Sequence, residues 1–529
     1  MTSCQSRLHK INHTNHIVCN NLFSGVPMSL VSAYELAKTF AINFEEFIEE
    51  ADLIQPRLNI PFLTVATGRF HLGKHGESIC SGGKHYITGI GARGNMGKTT
   101  LAVWMDNWVM NNYPTTQEMV YDTEGPFEIF RFMDMVDEMP NMRDVDLINN
   151  GQISITNLYK MAGEEFWDKY REIANMRHDK RDKYLLTTPF LDKDGTNIRI
   201  IKPINCLLDS LSQFETKATS DLQNKEQIGS AKRNTESMRG SLIRNQMCVE
   251  MPGVAGRGGI YTTYTMHLGD DMAAMMDQYS GIQKKLSFMR NKVKFKNCPE
   301  KVTFLTNDCW VITQQDILDN DTTKDAEYPI SGQPVVKGDT DMLIITIMNL
   351  RGKAGGTGLP IQMVMSQAEG IKTGLTFFHS IKKANRFGIG GTLQNFYLEF
   401  LPTLNLKRTT VRSALDENYE LFRAAELTSD LLMLKTMHRG KYPEVDTDVE
   451  PKTLYEDLIK MGYDWTVLLD TVNHWSFLEM PSEKPQITIM DLLRMRHGLY
   501  VPFWFTEEQK KAIDLTKAVK WSPTGEQAA

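Results

Sequence analysis

The sequence predicts an α/β protein with a mostly parallel sheet, a short N-terminal helical segment and a mainly helical C-terminal region. Apolar runs with strand character alternate with runs of helical periodicity, a pattern typical of parallel strands joined by crossing helices. The strand-like runs cover residues 86–90, 119–121, 206–208 and 260–266. A helical run at 101–110 follows the first of them, and the charged run 163–184 is also helical.

Three segments are expected along the chain. Residues 1–57 form a polar arm followed by helical periodicity, residues 58–385 carry the alternating α/β pattern, and residues 386–529 are mainly helical with a linker near 444–451. The arm contains cysteines and histidines whose spacing matches no standard zinc pattern, so a solvated arm is the preferred interpretation. These residues are Cys4, His9, His13, His16 and Cys19.

Composition limits the class of protein. The 529 residues carry a net charge of −6, which argues against a surface covered in positive charge but leaves room for a local basic patch. The seven cysteines are widely spaced without a CxxC pair, which indicates a reducing compartment. Neither a long apolar run nor a signal peptide is evident, so a cytoplasmic location without membrane contact is expected.

The most specific motif is a glycine-rich stretch of the form Ala/Gly-x-x-x-x-Gly-Lys-Thr/Ser. It lies between an apolar strand and a helix, as a phosphate-binding loop requires. Lys98 is expected to reach the β- and γ-phosphates of ATP, and Thr99 to bind Mg²⁺. The expected nucleotide-binding residues here are Ala92, Arg93, Gly94, Asn95, Met96, Gly97, Lys98, Thr99 and Thr100.

Three further strands end in polar side chains. Asp209 follows an apolar run and is the expected second ligand of Mg²⁺, although a strand ending in Asp is common. Glu124 follows the next strand after the phosphate loop and is the candidate base that activates water. The alternative for Glu124 is a solvated acid at a strand end. His267 ends another strand and is a candidate sensor of the γ-phosphate, although a lone histidine is more often structural.

These elements, in this order, resemble the RecA superfamily of P-loop ATPases, and most closely the UvsX-type recombinases of tailed phages. The resemblance covers residues 58–385 and extends weakly to about 435. Besides the phosphate loop, it includes the stretch around Glu124, Asp209 with the residues after it, and His267, where the UvsX-type proteins also carry histidine. It continues through the strand at 305–312 to Arg351 and Lys353, a pair of basic residues two apart.

The resemblance implies roles for these residues. Lys98, Glu124 and His267 would be catalytic, and Thr99 and Asp209 would hold the Mg²⁺ of Mg–ATP. Arg351 and Lys353 would contact ATP bound to the neighbouring subunit, and Phe130 is the nearest match to an aromatic that stacks on adenine, offset by one residue. Residues 1–57 would supply the contact through which subunits polymerise.

The resemblance also implies two DNA-binding loops, at about 216–239 and 268–301. The second contains no acid between residues 281 and 297, and its cations can neutralise phosphates while an aromatic stacks on bases. The alternative is a solvated run of charge. The candidate DNA-binding residues are Lys284, Lys285, Phe288, Arg290, Lys292, Lys294 and Lys296, with Lys232 and Arg233 in the first loop.

The preferred interpretation is an ATP-dependent DNA recombinase with ATP and Mg²⁺ as cofactors. It would form a helical filament on single-stranded DNA and exchange strands with homologous double-stranded DNA, with mediator and single-strand-binding proteins as possible partners. A hexameric DnaB-like replicative helicase has the same kind of core and is the first alternative. A structural or regulatory ATPase without strand exchange is the second.

Overall fold

The computed structural model describes residues 54–522, with internal gaps at 126, 138, 144, 159–162, 218–230, 271–287, 290–292, 300 and 354. Only the backbone is described for 231–239. The chain divides into two units, residues 1–55 and 56–529, and the description below concerns the second. The polar arm with its cysteines and histidines, and the helical segment at 29–53, lie outside the described residues.

Seventeen strands are found in the described residues. In chain order they are β1 (Arg69–Leu72), β2 (Ser78–Ser81), β3 (Ile87–Ala92), β4 (Gln117–Asp122), β5 (Ile153–Asn157), β6 (Leu185–Leu191), β7 (Asn197–Ile201), β8 (Ile204–Asp209), β9 (Ile260–Asp270), β10 (Val293–Phe295), β11 (Asp308–Ile317), β12 (Met342–Gly352), β13 (Pro360–Ser366), β14 (Gly370–Ile371), β15 (Ile389–Gly391), β16 (Phe396–Leu398) and β17 (Leu401–Leu406).

The helices alternate with these strands through the first half of the chain. Those described are α1 (Leu63–Thr67), α2 (Lys98–Asn112), α3 (Ile129–Asp137), α4 (Gly163–Asp179), α5 (Arg181–Tyr184), α6 (Ala231–Gly258), α7 (Val302–Leu305), α8 (Thr373–Lys383), α9 (Val411–Glu417), α10 (Tyr419–Met437), α11 (Pro451–Lys460), α12 (Trp465–Leu469), α13 (Ile489–Arg496) and α14 (Glu507–Ala512).

A ten-stranded mixed sheet forms the centre of the described unit. Its order is β14–β13–β12–β11–β3–β9–β8–β4–β5, and β10 pairs with β9. The six strands from β5 to β11 in this order run parallel, whereas β12, β13 and β14 extend the sheet in antiparallel fashion. The prediction of an α/β protein with a mostly parallel sheet is therefore confirmed.

Helix α2 is buried along almost its whole length and packs against β3, β8, β9 and β14 of the sheet and against α3. The indole nitrogens of Trp104 and Trp108 both donate to Thr373 Oγ1, at 2.9 and 3.0 Å. On its other side, Asp106 accepts from Thr263 Oγ1 at 3.1 Å and pairs with the ammonium of Lys84. These buried contacts hold the N-terminus of α2 at a constant position against the sheet.

The C-terminal region begins with a small sheet, β15–β16–β17, and is then helical up to the 3₁₀ turn at Leu515–Lys517. The expected mainly helical pattern is thus found, with the small sheet in addition. The expected linker is a packed connection between α10 and α11, since Val445 and Val449 are buried and Asp446 pairs with Arg496. Among the described residues, no helix has the length and apolarity needed to span a bilayer.

Candidate active site

The polar strand ends predicted from the sequence meet at one edge of the sheet. Ala92 of β3 is in register with His267 of β9, and Asp122 of β4 with Asp209 of β8. All four strands run parallel, so their carboxyl ends open onto the same cleft. Clefts outside the carboxyl ends of parallel strands are the usual ligand sites of open α/β sheets.

The phosphate loop connects the buried strand β3 to α2. Asn95 and Gly97 both have left-handed backbone conformations, with φ of 58° and 77°. Gly97 is also the residue that caps α2, and a Cβ at this position would lie 3.0 Å from Met365 Sδ. The loop therefore turns tightly and presents the free N–H groups of the first helical turn, an arrangement that binds anions such as phosphate.

Thr99 and Asp209 form the candidate Mg²⁺ site. Thr99 Oγ1 donates to Asp209 Oδ2 at 2.6 Å, and the hydroxyl of Thr265 donates to the other carboxylate oxygen. Mg²⁺ prefers oxygen ligands and commonly takes one or two from the protein, with water and phosphate oxygens completing the octahedron. The hydroxyl and carboxylate present here fit that requirement.

Glu124 lies at the centre of a set of charged contacts. The carboxylate of Asp122 accepts from the backbone N–H of Glu124 at 2.9 Å and shapes the turn after β4. Glu124 Oε1 then lies 3.0 Å from Lys98 Nζ and 2.7 Å from His267 Nε2. Burial alone would raise the pKa of Glu124, but the Ser210 hydroxyl, Lys98 and His267 outweigh it and lower the pKa. These contacts favour the ionised form of the Glu124 carboxylate.

His267 connects this cleft to the hairpin formed by β9 and β10. Its backbone N–H donates to Ser212 Oγ at 2.8 Å, and its carbonyl accepts from the N–H of Lys296 at 2.8 Å. Strand β9 continues three residues past His267 and pairs there with β10. A displacement of the hairpin would thus be transmitted to the ring that contacts Glu124.

The cleft has a volume of about 590 Å³ and extends from the carboxylates to α3 and β13. Of the predicted loop residues, those from 95 to 100 line it, together with Glu124 and Asp209. The remaining residues that line it include Asp122, Phe127, Glu128, Arg131, Phe132, Met135, Gln315, Leu343, Met365 and Gln367.

The expected base-stacking residue Phe130 does not line this cleft. Its side chain is 76 % exposed, whereas its neighbour Arg131 lines the cleft and donates from Nη2 to Thr100 Oγ1 at 3.2 Å. Successive residues of a helix point about 100° apart, so only one of the two can face the site. The assignment of Phe130 is wrong for this structure. Phe127, Arg131 and Phe132 line the cleft instead.

Arg351 and Lys353 lie at the opposite edge of the sheet. Arg351 is in register with Cys309, and Cys309 with Gly89, three residues before the carboxyl end of β3. Strand dimensions put the Cα atoms of Arg351 and Ala92 about 14 Å apart, and the phosphate loop lies farther still. The pair therefore cannot reach the nucleotide site of its own chain, and neither residue lines the cleft.

Part of the expected DNA-binding segment is described. Lys294 and Lys296 are exposed on the hairpin, and Phe288 is 49 % exposed and lies against Gly358. The ring of Phe295 covers Gly91 of β3 and belongs to the core. Lys284, Lys285, Arg290 and Lys292, and the side chains of Lys232 and Arg233, lie outside the described residues.

Several residues of the site were not predicted from the sequence. Thr265 lies two residues before His267 on the same face of β9, so strand periodicity could have placed it near the site. The positions of Ser212 and Gln315 in the site could not be predicted from the sequence, because they depend on which strands are neighbours. Together, the groups at this edge can bind a phosphate chain, a divalent cation and a water molecule. Neither the protein-family models nor the curated proteins searched match the chain.

Proposed function

We propose that the chain is an ATP-dependent DNA recombinase with a RecA-type core. It would assemble as a filament on single-stranded DNA and promote pairing with homologous double-stranded DNA. The observation that carries this proposal is the contact between Glu124 and His267, because it joins a candidate ATPase site to a basic hairpin.

The side chains around the cleft suit ATP hydrolysis. When ATP binds, Lys98 would contact phosphate oxygens instead of Glu124. The Glu124 carboxylate would then be free to orient a water molecule and to accept its proton. Thr99 and Asp209 would hold Mg²⁺, which neutralises charge on the phosphates when bound.

The hairpin supplies the link to DNA. Lys294 and Lys296 are exposed on β10 or directly after it, and the backbone of Lys296 is bonded to that of His267. Binding of a phosphate backbone to these lysines would shift His267 relative to Glu124. Hydrolysis would then depend on DNA, as a recombinase requires.

The position of Arg351 and Lys353 favours an assembly of many subunits. Their edge of the sheet is far from their own phosphate loop, but a head-to-tail neighbour can bring its cleft to them. Arg351 is half-buried and Lys353 is exposed at this edge, so both can meet a neighbouring subunit. Completion of each site at an interface would couple ATP binding to polymerisation.

Imaging tests the proposal most directly. With single-stranded DNA and a non-hydrolysable ATP analogue, we expect filaments whose length follows the length of the DNA. Closed rings of constant size would instead indicate the helicase alternative. ATP hydrolysis that is the same with and without single-stranded DNA would overturn both and leave the structural ATPase.

The two described lysines of the hairpin give a quantitative prediction. Each phosphate contact on single-stranded DNA contributes about 0.7 to the slope of log K against log salt concentration. Replacing Lys294 and Lys296 by Ala is therefore expected to flatten the slope by about 1.4. DNA affinity measured at several salt concentrations checks this, with Lys452 and Lys460 replaced together as a control pair on α11. An unchanged slope would identify the hairpin as merely a solvated surface.

Phe288→Ala is expected to act differently. A ring that stacks on a base contributes about 1–3 kcal/mol to binding, and this contribution depends little on salt. DNA affinity should fall at every salt concentration while the slope stays constant. Phe503→Ala is the matched control, since Phe503 is similarly exposed, at 46 %, and lies outside the hairpin. Equal effects of the two variants would contradict stacking at Phe288.

A further inference from the structure

A chain of buried hydrogen bonds runs from the C-terminal region to the strand that carries Arg351. It begins at Trp475, which is fully buried. The indole Nε1 of Trp475 donates to the carbonyl oxygen of Arg57 at 3.0 Å, and its backbone N–H donates to Asn59 Oδ1 at 3.1 Å. The indole also packs against the rings of Tyr113 and Phe190, at 5.0 and 5.6 Å between centroids. The segment around Arg57 is thus held by a residue from the far end of the chain.

The next link is an ion pair. Arg57 Nη1 lies 3.1 Å from Asp308 Oδ2, and the two side chains are only 6 % and 2 % exposed. Asp308 is the first residue of β11, at the amino edge of the parallel strands. A buried charge that loses its partner is costly, so the positions of Arg57 and Asp308 are strongly coupled.

This chain of hydrogen bonds ends at the basic pair, Arg351 and Lys353. Asn349 Nδ2 donates to the second oxygen of Asp308 at 3.4 Å, and Asn349 Oδ1 accepts from the backbone N–H of Arg351 at 3.1 Å. The backbone N–H of Lys353 donates to the carbonyl oxygen of Asn307, the residue before Asp308. Both basic residues are therefore placed by groups that Asp308 and its neighbour hold.

We propose that the C-terminal region acts as a brace for the intersubunit nucleotide contact. In this arrangement Trp475 is a positioning residue: it holds Arg57, which holds Asp308, which sets the backbone of Arg351 and Lys353. The inference rests on the proposed function, since it takes that pair to contact ATP of a neighbouring subunit. A displacement of about 1 Å in a group that positions reactants is enough to lower a rate substantially, so a brace of this kind has a measurable effect.

The first experiment compares two tryptophans of the same region. Trp475→Phe keeps an aromatic side chain but removes the N–H that binds Arg57 and one ring of the indole, and Trp465→Phe makes the same change at an N–H that binds the carbonyl of Phe400. Trp465 is also buried, but it lies outside the chain of contacts. We expect Trp475→Phe to raise the protein concentration for half-maximal DNA-stimulated ATP hydrolysis by about three- to tenfold, the usual effect of one buried hydrogen bond. Trp465→Phe should leave this concentration unchanged.

A second readout separates positioning from general destabilisation. Binding of a fluorescent ATP analogue by the DNA-free protein should be the same in wild type and Trp475→Phe. In a background that carries both Arg351→Ala and Lys353→Ala, Trp475→Phe should add no further change to the half-maximal concentration, because both contacts that it supports are already lost. A further increase caused by Trp475→Phe in this background would overturn the brace.

The outcomes distinguish the brace from the function on which it rests. If Arg351→Ala leaves the half-maximal concentration unchanged, the intersubunit contact is wrong and the brace falls with it. If Arg351→Ala changes it but Trp475→Phe behaves like Trp465→Phe, only the brace is wrong. Should Trp475→Phe not fold, Asn349→Ser removes the side chain of the last link and leaves the buried ion pair of Arg57 and Asp308 intact, and the same criteria apply to it.

Discussion

Replacing Glu124 by Gln is expected to lower ATP turnover by roughly 10²–10⁴, the usual contribution of a general base. Gln keeps the shape of the side chain but cannot take a proton from water. Lys98 loses an ionic partner and remains available for phosphate, so ATP binding should be retained or strengthened. Turnover measured with saturating ATP and single-stranded DNA, beside binding of an ATP analogue, checks both expectations. Complexes on DNA should also dissociate more slowly.

The matched control is Glu128→Gln. Glu128 lines the same cleft, but it lies on the α3 side, away from the contacts of Lys98 and His267. It should alter turnover little. Near-normal hydrolysis by Glu124→Gln, or equal losses in the two variants, would remove Glu124 from the role of base.

Replacing Arg351 and Lys353 together by Ala is expected to lower DNA-stimulated turnover by roughly 10³, the lower end of what an arginine supplied in trans contributes to phosphoryl transfer. The pair lies at the wrong edge of the sheet to act on its own cleft. Binding of an ATP analogue by dispersed subunits should therefore stay normal, whereas assembly on DNA should weaken. The chain offers an exact sequence control, since Arg439 and Lys441 form a second, exposed Arg-Gly-Lys segment.

Mixing makes this prediction sharper. Subunits with Lys98→Ala have an inactive phosphate loop but an intact basic pair. Subunits in which Arg351 and Lys353 are both Ala have an intact phosphate loop but no basic pair. In an equal random mixture about a quarter of the interfaces join an intact loop to an intact pair, as expected for head-to-tail contacts. Activity should therefore return when two nearly inactive preparations are combined. No recovery, together with lost ATP binding by the dispersed double variant, would place the pair in its own site.

The sequence pattern allowed the residues at the centre of the candidate site to be selected, because each lies at or after a run of strand character. Lys98, Glu124, Asp209 and His267 could be selected one by one, and the parallel pattern implied that strand ends meet at one edge. The structure brings all four together through contacts of 2.7 to 3.7 Å. Local pattern and global arrangement agree at this point.

Features that depend on lateral neighbours or on helix rotation could not be predicted in this way. Phe130 and Phe132 both lie on α3, and the rotation of the helix decides that Phe132 lines the cleft and Phe130 does not. The edge at which Arg351 lies follows from the antiparallel pairing of β12 with β11, which periodicity does not show. The contact between Trp475 and Arg57 joins residues 418 positions apart, beyond any local signal.

That last contact also affects how the protein is made. Chains leave the ribosome at about 5–20 residues per second, so Arg57 emerges roughly 20–80 s before Trp475. During this interval the first segment of the core lacks its final partner, and pairings over such separations are slow to form. A nascent chain would thus lack this support for its basic pair until Trp475 has been made. Chains that end before Trp475 would then be poor members of the proposed assembly.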